Sequence, residues 1–125
     1  MPEHVRFPCP CCGFQVFESP PGSFDICIIC GWEDDAVQLA NPCTGEGANT
    51  ASLAEAQENF QSTPDADLAE YREQAYVRDP KWRRLNMNEK EIFRNESEGG
   101  TRWINPAVTD ERGYYWQRNT VQEKT

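Results

Sequence analysis

Apolar and polar positions organise this chain unevenly. Phe14-Gln15-Val16-Phe17 and Ser23-Phe24-Asp25-Ile26 carry β-forming side chains, and Ser19-Pro20-Pro21-Gly22 between them supplies turn chemistry. The pattern predicts a short hairpin joining the two runs. From residue 52 the spacing becomes helical, with Leu53, Ala56 and Phe60 on one face. Ser52-Leu53-Ala54-Glu55 in front of them fits a capping box, in which the serine accepts from the first turn and the glutamate reaches back. A helix over 52–61 follows. Thr63-Pro64-Asp65 is a second start signal, with a capping hydroxyl, proline at the first helical position and an acid at the positive end of the dipole. Leu68, Tyr71 and Ala75 continue its stripe until Asp79-Pro80, predicting a helix over 64–78.

Beyond Pro80 the pattern weakens. Asn88 to Glu98 reads as a short charged helix ended by Gly99-Gly100. Trp103-Ile104 and Tyr114-Tyr115-Trp116 read as short β segments separated by Asn105-Pro106 and Arg112-Gly113, predicting a C-terminal hairpin. Residues 40–51 form a loop rich in Asn, Pro and Gly, and Gln122 to Thr125 are expected to be disordered.

The cysteines sharpen this outline. Three of the six crowd into CPCCG at 9–13, and CIICG at 27–31 repeats the outline of Cys, two residues, Cys, Gly. A tetrahedral zinc ion takes four thiolates, and each CxxC turn can direct two at one point. The glycine after each pair lets the chain turn tightly while amides face the sulfurs. Cys9, Cys12, Cys27 and Cys30 are therefore the expected ligands of one structural zinc. Rubredoxin-type iron and redox disulfides are the alternatives. Cys11 lies too close to Cys9 for both to ligate comfortably, and reads as a small buried thiol or as an extra redox or alternate-ligand sulfur. Cys43, in the loop, is treated likewise, and His4 reads as a surface side chain. The expected class is α+β: a small N-terminal zinc ribbon, a β-hairpin with two cysteine knuckles, followed by two helices and a short C-terminal β or irregular segment. At 125 residues the chain is read as a single domain over 1–125, with a zinc-ribbon unit at 6–35, a helical unit at 52–78 and a C-terminal extension at 81–121.

Charge bears on partners. The formal net charge is −9, and the excess lies in residues 33–75, with ten acids and one base. Such a surface repels a phosphate backbone and attracts a basic protein. Trp32-Glu33-Asp34-Asp35 follows the second knuckle directly. It reads as a partner-binding patch, against the plainer picture of a solvated acidic loop with Trp32 packed over the ribbon. Hydrophobic residues make up 38% of the chain, and no apolar run reaches the roughly 20 residues of a membrane helix, so a soluble, cytoplasmic protein is expected. With one histidine, no HExxH and no Gly-rich phosphate loop, the sequence gives no foothold for nucleophilic or phosphoryl-transfer catalysis, and no enzyme is expected.

CPCCG at 9–13, CIICGWEDD at 27–35, Gly47-Ala48-Asn49, Ser52-Leu53-Ala54-Glu55-Ala56 and Asn59-Phe60 together resemble the bacterial cysteine-rich CPCC family. Its members show a CPCCG block, a CxxCxWEDD block, then GGAN, SLxEA and an aromatic. The resemblance runs from residue 7 to about 80, through Val77-Arg78-Asp79-Pro80. Glu46 replaces the first glycine of GGAN, Cys43 is an addition, and the last 45 residues lie outside it. The resemblance implies a small zinc-containing bacterial protein, and an immunity protein associated with a polymorphic toxin. The expected function is thus a non-enzymatic zinc-binding interaction module, an acidic immunity or inhibitor protein for a basic toxin or other basic protein. Two alternatives stand beside it. A nucleic-acid-binding ribbon would rely on Arg78, Lys81, Arg83 and Arg84 with Trp82, and a thiol redox protein would use Cys11.

Overall fold

Each CxxCG block sits at the tip of its own small hairpin. The computed structural model describes residues 6–45, 47–63, 65–74, 76–96 and 105–117. Strand β1 (Phe7–Pro8) runs into the first block and β2 (Gln15–Phe17) runs out of it, paired antiparallel with Phe7 opposite Phe17 and Pro8 opposite Gln15. The second block is flanked by the Ile26–Glu33 bridge. The two tips share one hydrogen-bond plan. Cys9 N donates to Phe14 O at 2.9 Å and Cys27 N to Trp32 O at 2.8 Å, while Gly13 N donates to Cys9 O at 2.7 Å and Gly31 N to Cys27 O at 2.9 Å. Both glycines hold a left-handed φ, +83° at Gly13 and +84° at Gly31, which a side chain would oppose.

This corrects the expected hairpin between 14–17 and 23–26. Each run pairs across its own knuckle instead, because both flanks of a CxxCG turn must close for its two sulfurs to converge. Ser19-Pro20-Pro21-Gly22 then links two hairpins, and its prolines have no N–H to give a ladder.

Helix α1 (Ala36–Ala40) was not anticipated; Asp35 caps it, and Ala36, Gln38, Leu39 and Ala40 are buried. Helix α2 (Leu53–Gln61) begins with the predicted capping box, Glu55 N to Ser52 Oγ at 3.2 Å and Ser52 N to Glu55 Oε1 at 2.9 Å. Helix α3 (Asp65–Glu73) stops short of the expected residue 78. Tyr76 N closes back on Tyr71 O, and the chain then runs extended beside β2: Gln15 N donates to Val77 O at 2.8 Å and Asp79 N to Gly13 O at 2.9 Å. Pro80 disfavours helical backbone at Asp79, consistent with this early exit. Helix α4 (Met87–Glu96) carries its own reciprocal cap, Glu89 N to Asn86 Oδ1 at 2.8 Å and Asn86 N to Glu89 Oε1 at 3.0 Å. Its predicted end at Glu98, Gly99-Gly100, Trp103-Ile104 and Gln122 to Thr125 lie outside the described residues.

Tyr114-Tyr115-Trp116 is not a β segment. Two 3-10 turns, Glu111–Gly113 and Tyr115–Gln117, coil the chain so that all three rings are buried, with Tyr114 stacked on Trp116 at 4.4 Å. The turns serve burial because Tyr115 must reach inward: its hydroxyl donates to Arg83 O and accepts from Gln57 Nε2 at 2.8 Å. One apolar cluster runs from Cys9 through Phe14, Trp32, Leu39, Leu53 and Leu85 to Trp116, so the core is built around the knuckles. The architecture is a mixed α+β small fold, an N-terminal antiparallel hairpin with cysteine knuckles followed by helices. Among the described residues, no helix is long and apolar enough to cross a membrane.

Candidate metal centre

The two hairpin tips face each other, and the Sγ atoms of Cys9, Cys12, Cys27 and Cys30 all lie within 4.8 Å of one another. Cys9 Sγ is 3.6 Å from Cys30 Sγ, and Cys12 Sγ is 3.7 Å from Cys27 Sγ. Four sulfurs each about 2.3 Å from one ion at tetrahedral angles stand about 3.8 Å apart. The spacing matches that edge length. It is far from the roughly 2.05 Å of a disulfide, and all six cysteines are free. The donor set therefore fits a single thiophilic ion and leaves no ligand position for water.

The surroundings suit thiolates only if a cation balances them. Cys9 and Cys12 are fully buried and Cys27 nearly so, while Cys30 is partly exposed. Burial pushes the Cys9 thiol well up. The hydrogen bond with Cys27 is the main cause raising Cys12, and the same bond lowers Cys27. Cys30 is lowered by hydrogen bonds from its neighbours, that from Cys11 foremost. Without a metal the cluster thus shares protons between sulfurs, and full ionisation needs a central positive charge. Ile29 N and Cys30 N approach Cys27 Sγ at 3.4 and 3.5 Å, offsetting part of its negative charge.

Cys11 is buried behind the first knuckle and lies outside the mutually close group of four. The neighbouring Cys30 side chain, together with burial, pushes the Cys11 thiol up. Cys43 is half-buried and donates to Lys90 O of α4 at 3.4 Å. His4 lies outside the described residues.

The acidic tract behaves differently from expectation. Trp32 is 3% exposed, Asp34 3% and Asp35 5%, and Glu33 is half-buried. Asp34 Oδ2 accepts from Ser23 Oγ at 2.7 Å and from Ser23 N at 3.2 Å, and burial pushes its carboxyl up. Asp35 Oδ1 accepts from Val37 N and Gln38 N at the start of α1, and its Oδ2 accepts from Ala48 N at 2.9 Å. Asp34 and Asp35 thus satisfy donors of the fold itself and form no solvated contact patch. Burial removes Trp32, Asp34 and Asp35 from the partner-binding surface expected of Trp32-Glu33-Asp34-Asp35 and leaves Glu33 as its half-buried member.

What the tract does is tie the knuckle to the Gly47-Ala48-Asn49 loop. Asn49 bonds both peptide groups of Glu33 and also meets Gln38 Oε1, through its own N–H at 3.0 Å and its Nδ2 at 2.9 Å. Gln38 Nε2 spreads over the carbonyls of Thr44, Asn49 and Ala51. A side chain at Gly47 would meet Asp35 Oδ2 at 2.7 Å and Gln38 at 2.8 Å. Gln57 plays the matching role on the other knuckle, donating to Pro10 O at 2.8 Å and accepting from Leu85 N at 3.0 Å. Gln38 and Gln57 escaped the sequence reading because a buried amide looks like any surface polar residue.

Within the basic cluster at 78–84, Arg78, Trp82 and Arg83 bond to the protein itself along an extended segment. Arg78 Nε donates to Cys12 O at 2.8 Å, Trp82 Nε1 to Pro10 O at 2.9 Å, and Arg83 pairs with both oxygens of Glu89 at 2.7 and 2.9 Å. Arg78, Lys81 and Arg84 are exposed residues.

Comparison with known proteins gives a match between residues 7–83, more than half of the chain, and the family model described as cysteine-rich CPCC. No curated protein matches. The matched span holds both knuckles, the capped α1, the asparagine loop and the segment that supports the first knuckle, and the chain belongs to the cysteine-rich CPCC family.

Proposed function

We propose that the protein is a non-enzymatic zinc-binding module that recognises a basic protein, and that its biological form is an acidic immunity or inhibitor protein directed at a basic toxin domain. The observation that carries the zinc reading is the tetrahedral spacing of Cys9, Cys12, Cys27 and Cys30 at the centre of the core. Four protein sulfurs close the coordination shell, which suits an ion that holds structure more than one that activates water. Zinc is favoured over iron because it needs no redox partner and takes a tetrahedral thiolate set without geometric preference of its own.

The partner reading is supported by charge. No Lys or Arg occurs between Arg6 and Arg72, and the net charge is −9. A surface of that composition draws a basic partner by electrostatic steering. Nucleic-acid binding is the weaker reading, since Arg78, Trp82 and Arg83 are engaged with the protein itself. The test is affinity capture of the full chain from its native cells at low salt. A basic polypeptide recovered in near-equal amount and released by salt supports the reading; recovery of nucleic acid in its place overturns it.

A further inference from the structure

The second knuckle hairpin places apolar side chains in solvent. Phe24 is 55% exposed, Ile26 66% and Ile28 57%, all within five residues of one turn. Exposed apolar side chains occurring singly need no explanation, but a concentration of large ones on one rigid loop does. The loop is rigid because it is anchored on both sides. Phe24 N donates to Asp34 O at 3.0 Å, Asp34 N to Asp25 O at 2.9 Å, and Cys27 enters the metal centre.

A second observation is independent of exposure. Phe24 has φ +61° and is the non-glycine residue with positive φ among the described residues. A bulky side chain in this left-handed region is a steric outlier, and such strain persists where surrounding structure enforces it, often at binding sites. Glycine or asparagine would relieve it. An exposed, strained phenylalanine does nothing for the core, so a contact outside the core has to offset its strain.

We propose that Phe24, Ile26 and Ile28 are the docking surface for a protein segment that presents apolar side chains flanked by lysine or arginine. The charge of the hairpin selects that occupant. Asp25 is exposed between Phe24 and Ile26, Glu33 stands across the bridge from Ile26, and the sequence from 7 to 71 has no base. Acids beside apolar anchors favour a basic amphipathic segment and disfavour anionic lipid. This inference rests on the reading of the protein as a binder of basic partners and places that contact on one loop.

The test titrates the full, zinc-loaded chain with two synthetic peptides, one alternating Lys and Leu and one alternating Lys and Ser, while amide shifts are followed by NMR. The Lys-Leu peptide should bind about tenfold more tightly than the Lys-Ser peptide, with shifts concentrated at residues 23–31. Phe24→Asn and Ile28→Ser should each reduce its affinity toward the Lys-Ser level, and Phe24→Asn should melt no lower than wild type because asparagine accepts the backbone angle. Equal binding of both peptides would overturn the docking surface and leave the basic-partner reading standing. Binding of neither would remove both. Concentration-dependent shifts at the same residues without peptide would mean that a second copy of this chain is the occupant, and would also overturn the proposal.

Discussion

Asn49 holds Glu33 as a paired strand residue would. Its Oδ1 accepts from Glu33 N at 2.9 Å and its Nδ2 donates to Glu33 O at 2.9 Å, 16 positions away along the chain. One asparagine thereby satisfies the peptide groups just beyond the second knuckle and fixes the loop that caps it. Asn49→Ala should destabilise the metal-loaded protein by about 2 kcal/mol, since it leaves a donor and an acceptor of Glu33 unpaired. Asn49→Asp should cost at least as much despite its shape, because a carboxylate cannot donate to Glu33 O or Gln38 Oε1. Urea unfolding measures both; an Asp variant as stable as wild type would contradict the assignment.

The neighbouring acids should respond differently to amide substitution. Asp35→Asn keeps the helix cap but turns a donor toward Ala48 N, and should cost about 1 kcal/mol. Asp34→Asn retains an acceptor for both Ser23 groups and removes a buried charge. Burial raises the Asp34 pKa in the folded chain, so its contribution to stability is present below its unfolded value and is lost as pH rises through the folded value. The melting temperature of Asp34→Asn should therefore gain on wild type as pH rises above about 4. A difference that shrinks with pH would contradict the burial argument.

Gly13 and Gly31 share a backbone angle and differ in surroundings. A methyl group at Gly13 would lie 2.5 Å from the Trp82 ring, whereas at Gly31 nothing lies within 4 Å. Gly31→Ala should cost only the left-handed strain, about 1–2 kcal/mol. Gly13→Ala adds displacement of Trp82 and loss of its bond to Pro10 O, and should melt clearly lower. Thermal unfolding of the pair compares them directly.

Loading the metal-free chain with zinc should release protons. Metal loss unfolds the knuckles, and in the metal-free chain Cys9, Cys12, Cys27 and Cys30 are ordinary thiols that carry protons at neutral pH until a cation replaces them. A pH indicator in weakly buffered solution near neutral pH should report about four protons per zinc. No release would mean that the thiols are not the ligands.

The legible parts of the sequence were those set by local chemistry. The CxxCG blocks encode a turn within five residues, and the Ser52–Glu55 capping box is a contact between residues three apart, so both could be read directly. The matched hydrogen-bond plans of the knuckles follow from the repeated glycine. Long-range satisfaction was not legible. Asp35 looks like one acid in a charged run until Ala48, 13 residues on, supplies its third donor. Tyr115 has strand propensity, but its hydroxyl is committed to Gln57 and Arg83, and this bends its segment into 3-10 turns. The reach of α3 was overestimated because helical spacing alone does not register that Val77 and Asp79 pair with the first hairpin.

Cysteine substitution should separate ligands from bystanders. Cys27→Ser removes a sulfur from the close group and should lose the metal and unfold the N-terminal half, a loss of more than about 5 kcal/mol. Cys11→Ser should retain one metal per chain, because Cys11 lies outside that group. Metal content and circular dichroism of the two variants make the comparison.

The most direct test of the central claim is X-ray absorption at the zinc edge of the purified protein. One zinc per chain with four sulfur scatterers at about 2.3 Å is the predicted result. A first shell containing nitrogen or oxygen, or a folded chain without metal, would contradict the four-cysteine centre on which the architecture is built.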